Sequence, residues 1–292
     1  MYELINVKGN SYYIQSPAKI GLVKISDTAV ALIDSGNDKE AGKKVKRHLA
    51  DKSWTLSAIY NTHSHADHIG GNQYLAAQTG CSIYAPGIER AFTEYPILEP
   101  AFLYGGYPPS ELRHKFLLAP ESNAQPLTAA ALPDGWQTIP LSGHYFDMVG
   151  YRTADNVVYL ADCLSSAATL DKYRIGFIYD VAAYLETLGS VKSLAADVFV
   201  PSHADPTDNI APLADLNIAC VHSVAEDILR LCQSPTCFEN ILAKLFASYS
   251  LTMTFEQYAL VGSTLRSYLS WLKNTDRLTA HIEDNMLLWT RK

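Results

Sequence analysis

The residues best suited to chemistry lie in one short stretch, Asn61–Asn72. It holds four residues of types that bind metal ions: His63, His65, Asp67 and His68. Zn²⁺ favours imidazole and carboxylate ligands, and Fe and Mn also accept them. One residue separates His63 from His65, so on an extended segment both rings point to the same side. The stretch therefore predicts a metal site on a loop.

Three further candidate ligands follow strand-like runs elsewhere in the chain: His144, Asp162 and His203. Strand ends converge on one edge of a layered α/β fold, so residues that are distant in sequence can share a site. The seven candidates exceed the ligands of one tetrahedral metal. They suit two metals about 3.5–4 Å apart, bridged by a carboxylate such as Asp162. This pattern favours hydrolysis, because water held between two such cations is largely hydroxide at neutral pH.

The elements around these residues indicate an α/β fold. Three β-rich runs lie within residues 11–33, a helical pattern covers 38–50, and strand and helix patterns alternate up to residue 85. Residues 95–128 interrupt this alternation, because they are aromatic and rich in proline and glycine. We expect an insertion that is a packed cap or a dimer surface, or that contacts substrate through residues such as Tyr104 or Tyr107.

The composition changes after residue 212. A long helical pattern covers 213–232, and three shorter ones follow at 236–249, 254–260 and 263–273. A hairpin pattern closes the chain, and helices followed by a hairpin are the winged-helix order. We therefore divide the chain into a catalytic domain, residues 1–211, and a winged-helix-like domain, residues 212–292.

Charge and cysteine content limit the partners and the compartment. The 292-residue chain has a net charge of −7, and residues 212–292 hold seven lysines and arginines against eight acidic residues. Nucleic acids and anionic membranes reward a positive surface, so neither is an expected partner. We expect a small-molecule substrate and allow for a homodimer. The five cysteines are irregularly spaced, and we see no signal peptide or apolar run of membrane-spanning length. We therefore expect a cytoplasmic protein.

The combined pattern resembles the metallo-β-lactamase-fold hydrolase superfamily, whose signature is His-x-His-x-Asp-His. The signature matches residues 63–68, and the resemblance extends to Gly143-His144, to Asp162 after a strand and to His203 after a strand. It covers residues 1 to about 210 in the family's order. The resemblance implies a four-layer αββα sandwich with the metals at the edge of the two sheets, and it leaves the glyoxalase-II-like, lactonase-like and nuclease-like branches open. The C-terminal pattern resembles the winged helix of the β-lactamase-like endoribonuclease group.

The resemblance also implies roles for individual residues. One metal would be held by His63, His65 and His144, and the second by Asp67, His68 and His203, with Asp162 bridging them. Asp34 matches an aspartate that orients a ligand imidazole in this family. A metal-bridging hydroxide, oriented by Asp67, would attack an ester, thioester, lactone, amide or phosphoester. Two divalent ions are expected, most simply zinc, with Fe or Mn as alternatives.

Two branches of the family disagree with the sequence, and three alternatives stay open. Lactamases with a cysteine ligand lack the bridging aspartate, which is present here as Asp162, and diiron flavoproteins carry a carboxylate where His65 stands. One alternative is a metal-dependent endoribonuclease. Another is a persulfide dioxygenase with one iron on His63, His144 and Asp162. The third is a non-enzymatic binding module whose pocket is closed by residues 95–128.

Overall fold

Two β-sheets lie face to face in the part of the chain that precedes the C-terminal helices. The computed structural model describes residues 2–292. The first sheet contains, in spatial order, β1 (Leu4–Lys8), β2 (Ser11–Ile14), β3 (Ile20–Lys24), β4 (Ala29–Ile33), β5 (Thr55–Tyr60), β6 (Ser82–Ala85) and β7 (Gln125–Pro126). Strands β1 to β4 pair antiparallel, and β4 to β7 pair parallel. The second sheet contains β8 (Gln137–Pro140), β9 (Val149–Arg152), β10 (Val157–Tyr159) and β11 (Val198–Val200). In this sheet only β10 and β11 pair parallel.

Helices cover the outer faces of both sheets and form most of the C-terminal part. They are α1 (Lys39–Asp51), α2 (Ala66–Ile69), α3 (Asn72–Thr79), α4 (Glu89–Glu94), α5 (Leu98–Tyr104), α6 (Ala167–Tyr173), α7 (Val181–Lys192), α8 (Ala211–Leu231), α9 (Phe238–Ser248) and α10 (Phe255–Asn274). Short 3₁₀ turns lie at Ser110–Leu112 and Ala129–Ala131. A third sheet has the order β12 (Thr236–Cys237), β14 (Met286–Arg291), β13 (Leu278–Glu283). No helix within residues 2–292 is long and apolar enough to cross a membrane.

Alternating side chains build the layers. In β4, Ala31 and Ile33 face the second sheet, whereas Val30 and Leu32 pack towards α1 and α3. In β10, Tyr159 faces the first sheet and Val158 faces the helices behind the second sheet. Both sheets are therefore buried on two faces. This arrangement confirms the predicted four-layer αββα sandwich.

The helix α1 illustrates how the outer layers attach. Asp38 caps its N-terminus by accepting hydrogen bonds from the backbone amides of Glu40 and Ala41, at 2.9 and 3.0 Å. Ala41, Val45 and Leu49 then follow at four-residue spacing and are all buried against the first sheet. The predicted helix over residues 38–50 is confirmed to within one residue at each end.

The C-terminal part contains the predicted helices and hairpin, with one difference. We predicted a break between residues 260 and 263, but α10 runs through it without interruption. Gly262 lies on the packed side of this helix, where an added Cβ would be 3.5 Å from the Phe238 ring. Packing there outweighs the low helix propensity of glycine. The core is also continuous, because Val158 and Phe199 of the second sheet share one hydrophobic cluster with Leu265 of α10.

The insertion at residues 95–128 is more regular than its composition indicates. It contains α5, a 3₁₀ turn and β7, which we did not predict. Leu103, Leu112 and Leu117 of the insertion pack with Ala259 of α10 in a small hydrophobic cluster. The insertion is therefore attached to the C-terminal helices and is not a free loop.

Gly71 offers a test of the close packing at the loop that carries the histidines. A Cβ added at Gly71 would lie 2.3 Å from the backbone oxygen of Ser35, which cannot move without shifting the end of β4. We expect Gly71→Ala to lower the free energy of unfolding by about 1–3 kcal/mol, the usual cost of overpacking. Denaturant titration measures this change.

Gly189→Ala is the matched control. Gly189 lies in α7, where an added Cβ meets nothing within 4 Å. Alanine should stabilise this helix by up to about 1 kcal/mol. Equal effects of the two substitutions would contradict the packing argument for Gly71.

Candidate metal centre

Strand ends deliver the candidate ligands to one edge of the sandwich. Asp34 and the loop containing His63 follow β4 and β5, which are parallel neighbours in the first sheet. Asp162 and His203 follow β10 and β11, the parallel pair of the second sheet. Carboxyl ends of parallel neighbours lie at the same edge, which is where the two pairs meet. The backbone amide of Val149 also donates to the carbonyl of Thr62 at 3.0 Å and ties the sheets together there.

One group of side chains contains His63, His65, His144 and Asp162. The Nδ1 atom of His65 lies 3.1 Å from His63 Nε2 and 3.2 Å from His144 Nε2. The Oδ2 atom of Asp162 lies 4.0 Å from His63 Nε2 and 3.8 Å from His144 Nε2. These potential ligand atoms all lie within 4.8 Å of one another. They can therefore surround a single small cation.

A second group contains Asp67, His68, Asp162 and His203. His68 Nε2 is 3.0 Å from Asp162 Oδ1, and His203 Nε2 is 3.0 Å from Asp162 Oδ2. Asp67 Oδ2 lies 3.8 Å from His68 Nε2 and 3.6 Å from His203 Nε2. Asp162 belongs to both groups, so one carboxylate joins them. The structure thus brings together all seven residues singled out in the sequence.

Hydrogen bonds at the outer ring nitrogens fix the orientation of four imidazoles. The partners are Thr62 Oγ1 for His63 (3.0 Å), Asp34 Oδ2 for His68 (2.7 Å), the Phe177 carbonyl for His144 (3.0 Å) and the Pro17 carbonyl for His203 (3.1 Å). Each partner binds Nδ1 and leaves Nε2 facing the cluster. His65 is reversed, because its Nδ1 faces the cluster and its Nε2 lies 4.0 Å from Glu99 Oε1.

The candidate ligand atoms fit a divalent metal ion. His68 Nε2 and Asp162 Oδ1 are buried and make no hydrogen bond within residues 2–292, although they lie 3.0 Å apart. A buried polar atom without a partner is costly, and a shared cation would satisfy both atoms. The surrounding ligands are imidazole and carboxylate, the set that zinc and related transition metals prefer.

The two groups differ in their electrostatics. In the first group, burial and the neighbouring imidazoles lower the pKa of His63 well below its usual range and that of His65 to about 3. These rings are neutral and keep a lone pair for a metal. In the second group, the Asp162 carboxylate raises the pKa of His203 to about 10. Burial lowers the pKa of His68, but Asp162, Asp67 and Asp34 outweigh burial and raise it well above its usual value. Metal binding at the second group would therefore release protons.

Two buried acids beside the cluster escaped the sequence analysis. Glu89 is fully buried and accepts hydrogen bonds from the amide of Ser64 at 3.1 Å and the amide of Asp147 at 2.9 Å. Glu99 is 5% exposed, and burial followed by the charge of Asp67 raises its pKa well above the usual range. Each acid lies in a segment rich in aromatic residues. That is a weak signal, because a lone acid in such a segment is more often exposed.

Asp34 connects the first sheet to the cluster, and its carboxylate can be tested. It accepts hydrogen bonds from the Thr62 amide at 2.8 Å and from His68 Nδ1 at 2.7 Å. We expect Asp34→Asn to weaken metal binding by about 10–100-fold, the usual effect of losing a partner of a ligand histidine. Competition with a metal chelator measures this affinity. Asp27→Asn, at an exposed carboxylate, is the control, and unchanged affinity in Asp34→Asn would count against the orienting role.

Glu89 gives a prediction of pH dependence. Burial raises its pKa from 4.5 to about 7 despite its hydrogen bonds. The folded state thus holds this proton more tightly than the unfolded state. The stabilisation is complete below about pH 4.5 and is lost as pH rises to about 7. Relative to Glu89→Gln, the wild type should lose up to about 3 kcal/mol of unfolding free energy across this interval.

Denaturant titrations of metal-free protein at several pH values test the role of Glu89. Glu186→Gln, at an exposed position of α7, should follow the wild type at every pH. Parallel curves of unfolding free energy against pH for the wild type and Glu89→Gln would contradict the raised pKa of Glu89.

Comparisons with known proteins agree with this geometry. The family profile of the Metallo-beta-lactamase superfamily matches residues 8–203. A hydroxyacylglutathione hydrolase of Erythrobacter litoralis is 43% identical over 56 residues, which are 19% of this chain and 21% of that protein. The match thus spans only about a fifth of that relative's length.

Two solved structures share the fold along nearly the whole chain. A metallo-beta-lactamase family protein from Thermus thermophilus superposes with a TM-score of 0.74 at 16% identity, covering 97% of this chain and 99% of its own. A beta-lactamase domain protein from Burkholderia ambifaria gives a TM-score of 0.73 at 16% identity, covering 99% of this chain and 94% of its own. Both likenesses extend through the C-terminal helices. From the matched profile and the shared four-layer sandwich, we conclude that the chain belongs to the metallo-beta-lactamase superfamily.

Proposed function

We propose that the protein is a binuclear metal-dependent hydrolase that acts on a small molecule. One observation carries the proposal: two groups of ligand atoms, each within 4.8 Å, share the Asp162 carboxylate. Two cations that shared this carboxylate would lie close together, as they do in two-metal hydrolytic enzymes. The candidate bonds are those of esters, thioesters, lactones, amides and phosphoesters. The short match to a hydroxyacylglutathione hydrolase supports hydrolysis without naming this chain's substrate.

We assign the ligands by the two groups. His63, His65 and His144 would hold the first ion, Asp67, His68 and His203 the second, and Asp162 would bridge them. Zinc is the proposed ion, since imidazole nitrogens dominate the set, and Fe or Mn are the alternatives. Two such ions would activate a water molecule and polarise the substrate's carbonyl or phosphoryl oxygen.

The chain's own residues prepare this chemistry in two ways. The Asp67 side chain is 36% exposed, so it can contact an attacking water, and we propose that it orients this water. Burial raises the pKa of Asp67, but His68 and His203 outweigh burial and lower it to about 2. Asp67 is thus ionised and accepts a hydrogen bond at neutral pH. The Thr62, Asp34, Phe177 and Pro17 contacts keep the imidazoles from turning away.

The remaining assignments are also proposals. The sheet order β12–β14–β13 following α8, with α9 and α10, supports a winged-helix-like part over residues 212–292. In α10, the Arg266 guanidinium lies 4.0 Å from the centroid of the Phe238 ring and is engaged within the protein. This contact gives no support to nucleic-acid binding. Free cysteines fit a reducing compartment such as the cytoplasm.

Loss of one ligand of the first group, or of the bridging carboxylate, tests the proposal. We expect His63→Ala and Asp162→Asn each to lower metal content and to reduce turnover by more than about 100-fold, beyond the effect of losing a residue that only orients a ligand. Elemental analysis and a panel of esters, thioesters, lactones and phosphodiesters measure both quantities. His222→Ala, at an exposed histidine of α8, is the control.

The outcomes separate the proposal from its rivals. Full turnover with two metals in His63→Ala would overturn the ligand assignment. Oxygen uptake with a single iron would favour the dioxygenase, and salt-dependent RNA cleavage would favour the endoribonuclease.

A further inference from the structure

A cavity of ≈ 180 Å³ opens directly beside the candidate metal ligands. His144, Asp162 and His203 are among the residues that line it. Its walls combine apolar side chains such as Val221 with polar ones such as Asn217. A cavity that is bordered by candidate ligands and partly lined by apolar side chains is suited to the part of a substrate that adjoins the bond to be cleaved.

The volume of this cavity limits what it can hold. A cavity of about 150 Å³ accommodates benzene, so this one has room for roughly six to eight non-hydrogen atoms. A short acyl chain fits this limit, whereas a nucleobase with its sugar does not.

The lining of the cavity includes one arginine, Arg174. Arg174 also lines a second cavity of ≈ 320 Å³ at the surface between α6 and α8, so it stands where the two spaces adjoin. Within residues 2–292, its guanidinium has one acidic partner, Asp171, at 3.6 Å. The Arg174 and Asp171 side chains are 52% and 82% exposed, so this pair is weak. The guanidinium is therefore free to bind another anion.

The backbone at Arg174 adopts a rare conformation. Its φ is 59° and its ψ is −48°, and the Ile175 amide donates to the Tyr173 carbonyl at 2.6 Å. These values describe a γ-turn with positive central φ, which is strained for a residue with a side chain. Cys220 Sγ holds the Arg174 carbonyl at 3.4 Å, and the Arg174 amide donates to Leu170 at 2.9 Å. Strain of this kind persists where neighbouring contacts enforce it, and it concentrates at functional sites.

We propose that Arg174 binds a carboxylate at the far end of the substrate's acyl chain. The substrate would then be an ester or thioester of a short dicarboxylic acid, with its apolar chain in the cavity. A guanidinium is suited to this role, because its planar donors match the two oxygens of a carboxylate. This inference rests on the proposed hydrolase function for the cleaved bond. Carboxylate binding by Arg174, which we call the anion site, does not depend on that function.

Binding of uncleavable acids tests the site without catalysis. Adipate and hexanoate differ in one terminal carboxylate, and beyond its first carboxylate adipate extends roughly seven non-hydrogen atoms, within the cavity's limit. Calorimetric titration of the metal-loaded protein should give about tenfold tighter binding of adipate than of hexanoate, as expected for a hydrogen bond to a charged group. In Arg174→Gln this ratio should fall to about one.

Two further variants make the result specific. Arg47→Gln, at an arginine of α1 with a 76% exposed side chain, should keep the wild-type ratio. Arg174→Lys keeps the charge without the planar fork and should give an intermediate ratio. A wild type that does not distinguish the two acids, or an Arg174→Gln protein that still does, would overturn the proposal.

Cleavage of the matched adipyl and hexanoyl thioesters of one thiol separates the two proposals. We expect the wild type to favour the adipyl thioester in kcat/KM by about tenfold and Arg174→Gln to lose this preference. If no ester, thioester, lactone, amide or phosphoester is cleaved while adipate binding still depends on Arg174, the hydrolase proposal fails and the anion site stands. If both are cleaved equally by the two proteins, the anion site fails and the hydrolase stands.

Discussion

The candidate metal centre depends on the Asp162 carboxylate, which belongs to both groups of candidate ligands. This carboxylate is buried, and two imidazoles approach its oxygens to 3.0 Å. A buried negative charge needs close partners. Burial raises the pKa of Asp162, but His203 and His68 outweigh burial and hold that pKa well below its usual range. The rest of the edge is arranged to deliver these partners.

The backbone adapts to this requirement at two positions. Ala161, just before Asp162, has a φ of 49°, and Asp34 has a φ of 64°. Both values lie in the left-handed region that residues other than glycine rarely adopt. A backbone hydrogen bond holds Ala161 in this conformation, because the Ser202 amide donates to the Ala161 carbonyl at 2.9 Å. This bond joins the ends of β10 and β11, so Asp162 and His203 leave the sheet side by side.

The sequence predicts which residues the structure brings together at the candidate centre, because their types and their positions after strands are both visible. The four-layer order is also predictable, since strand and helix patterns alternate along the chain. The sequence does not reveal that a single acid will be buried. The burial of Glu89 and Glu99 becomes evident only in the structure, where α4 and α5 pack over the loop that carries His63. The continuity of α10 depends on what Gly262 packs against, which no local pattern records. The strained turn at Arg174 likewise arises from contacts with α6 and α8.

The hydrophobic cluster that joins the second sheet to α10 links the C-terminal helices to the candidate metal ligands. Thr264 accepts from the Ile178 amide at 3.3 Å, and Ser267 donates to the Tyr179 carbonyl at 2.7 Å. The neighbouring Phe177 carbonyl orients His144. A ligand that binds only the folded state stabilises every element that unfolds with its site. Metal binding would therefore stabilise the C-terminal helices against any unfolding that also opens the site, although they contribute none of the seven candidate ligands.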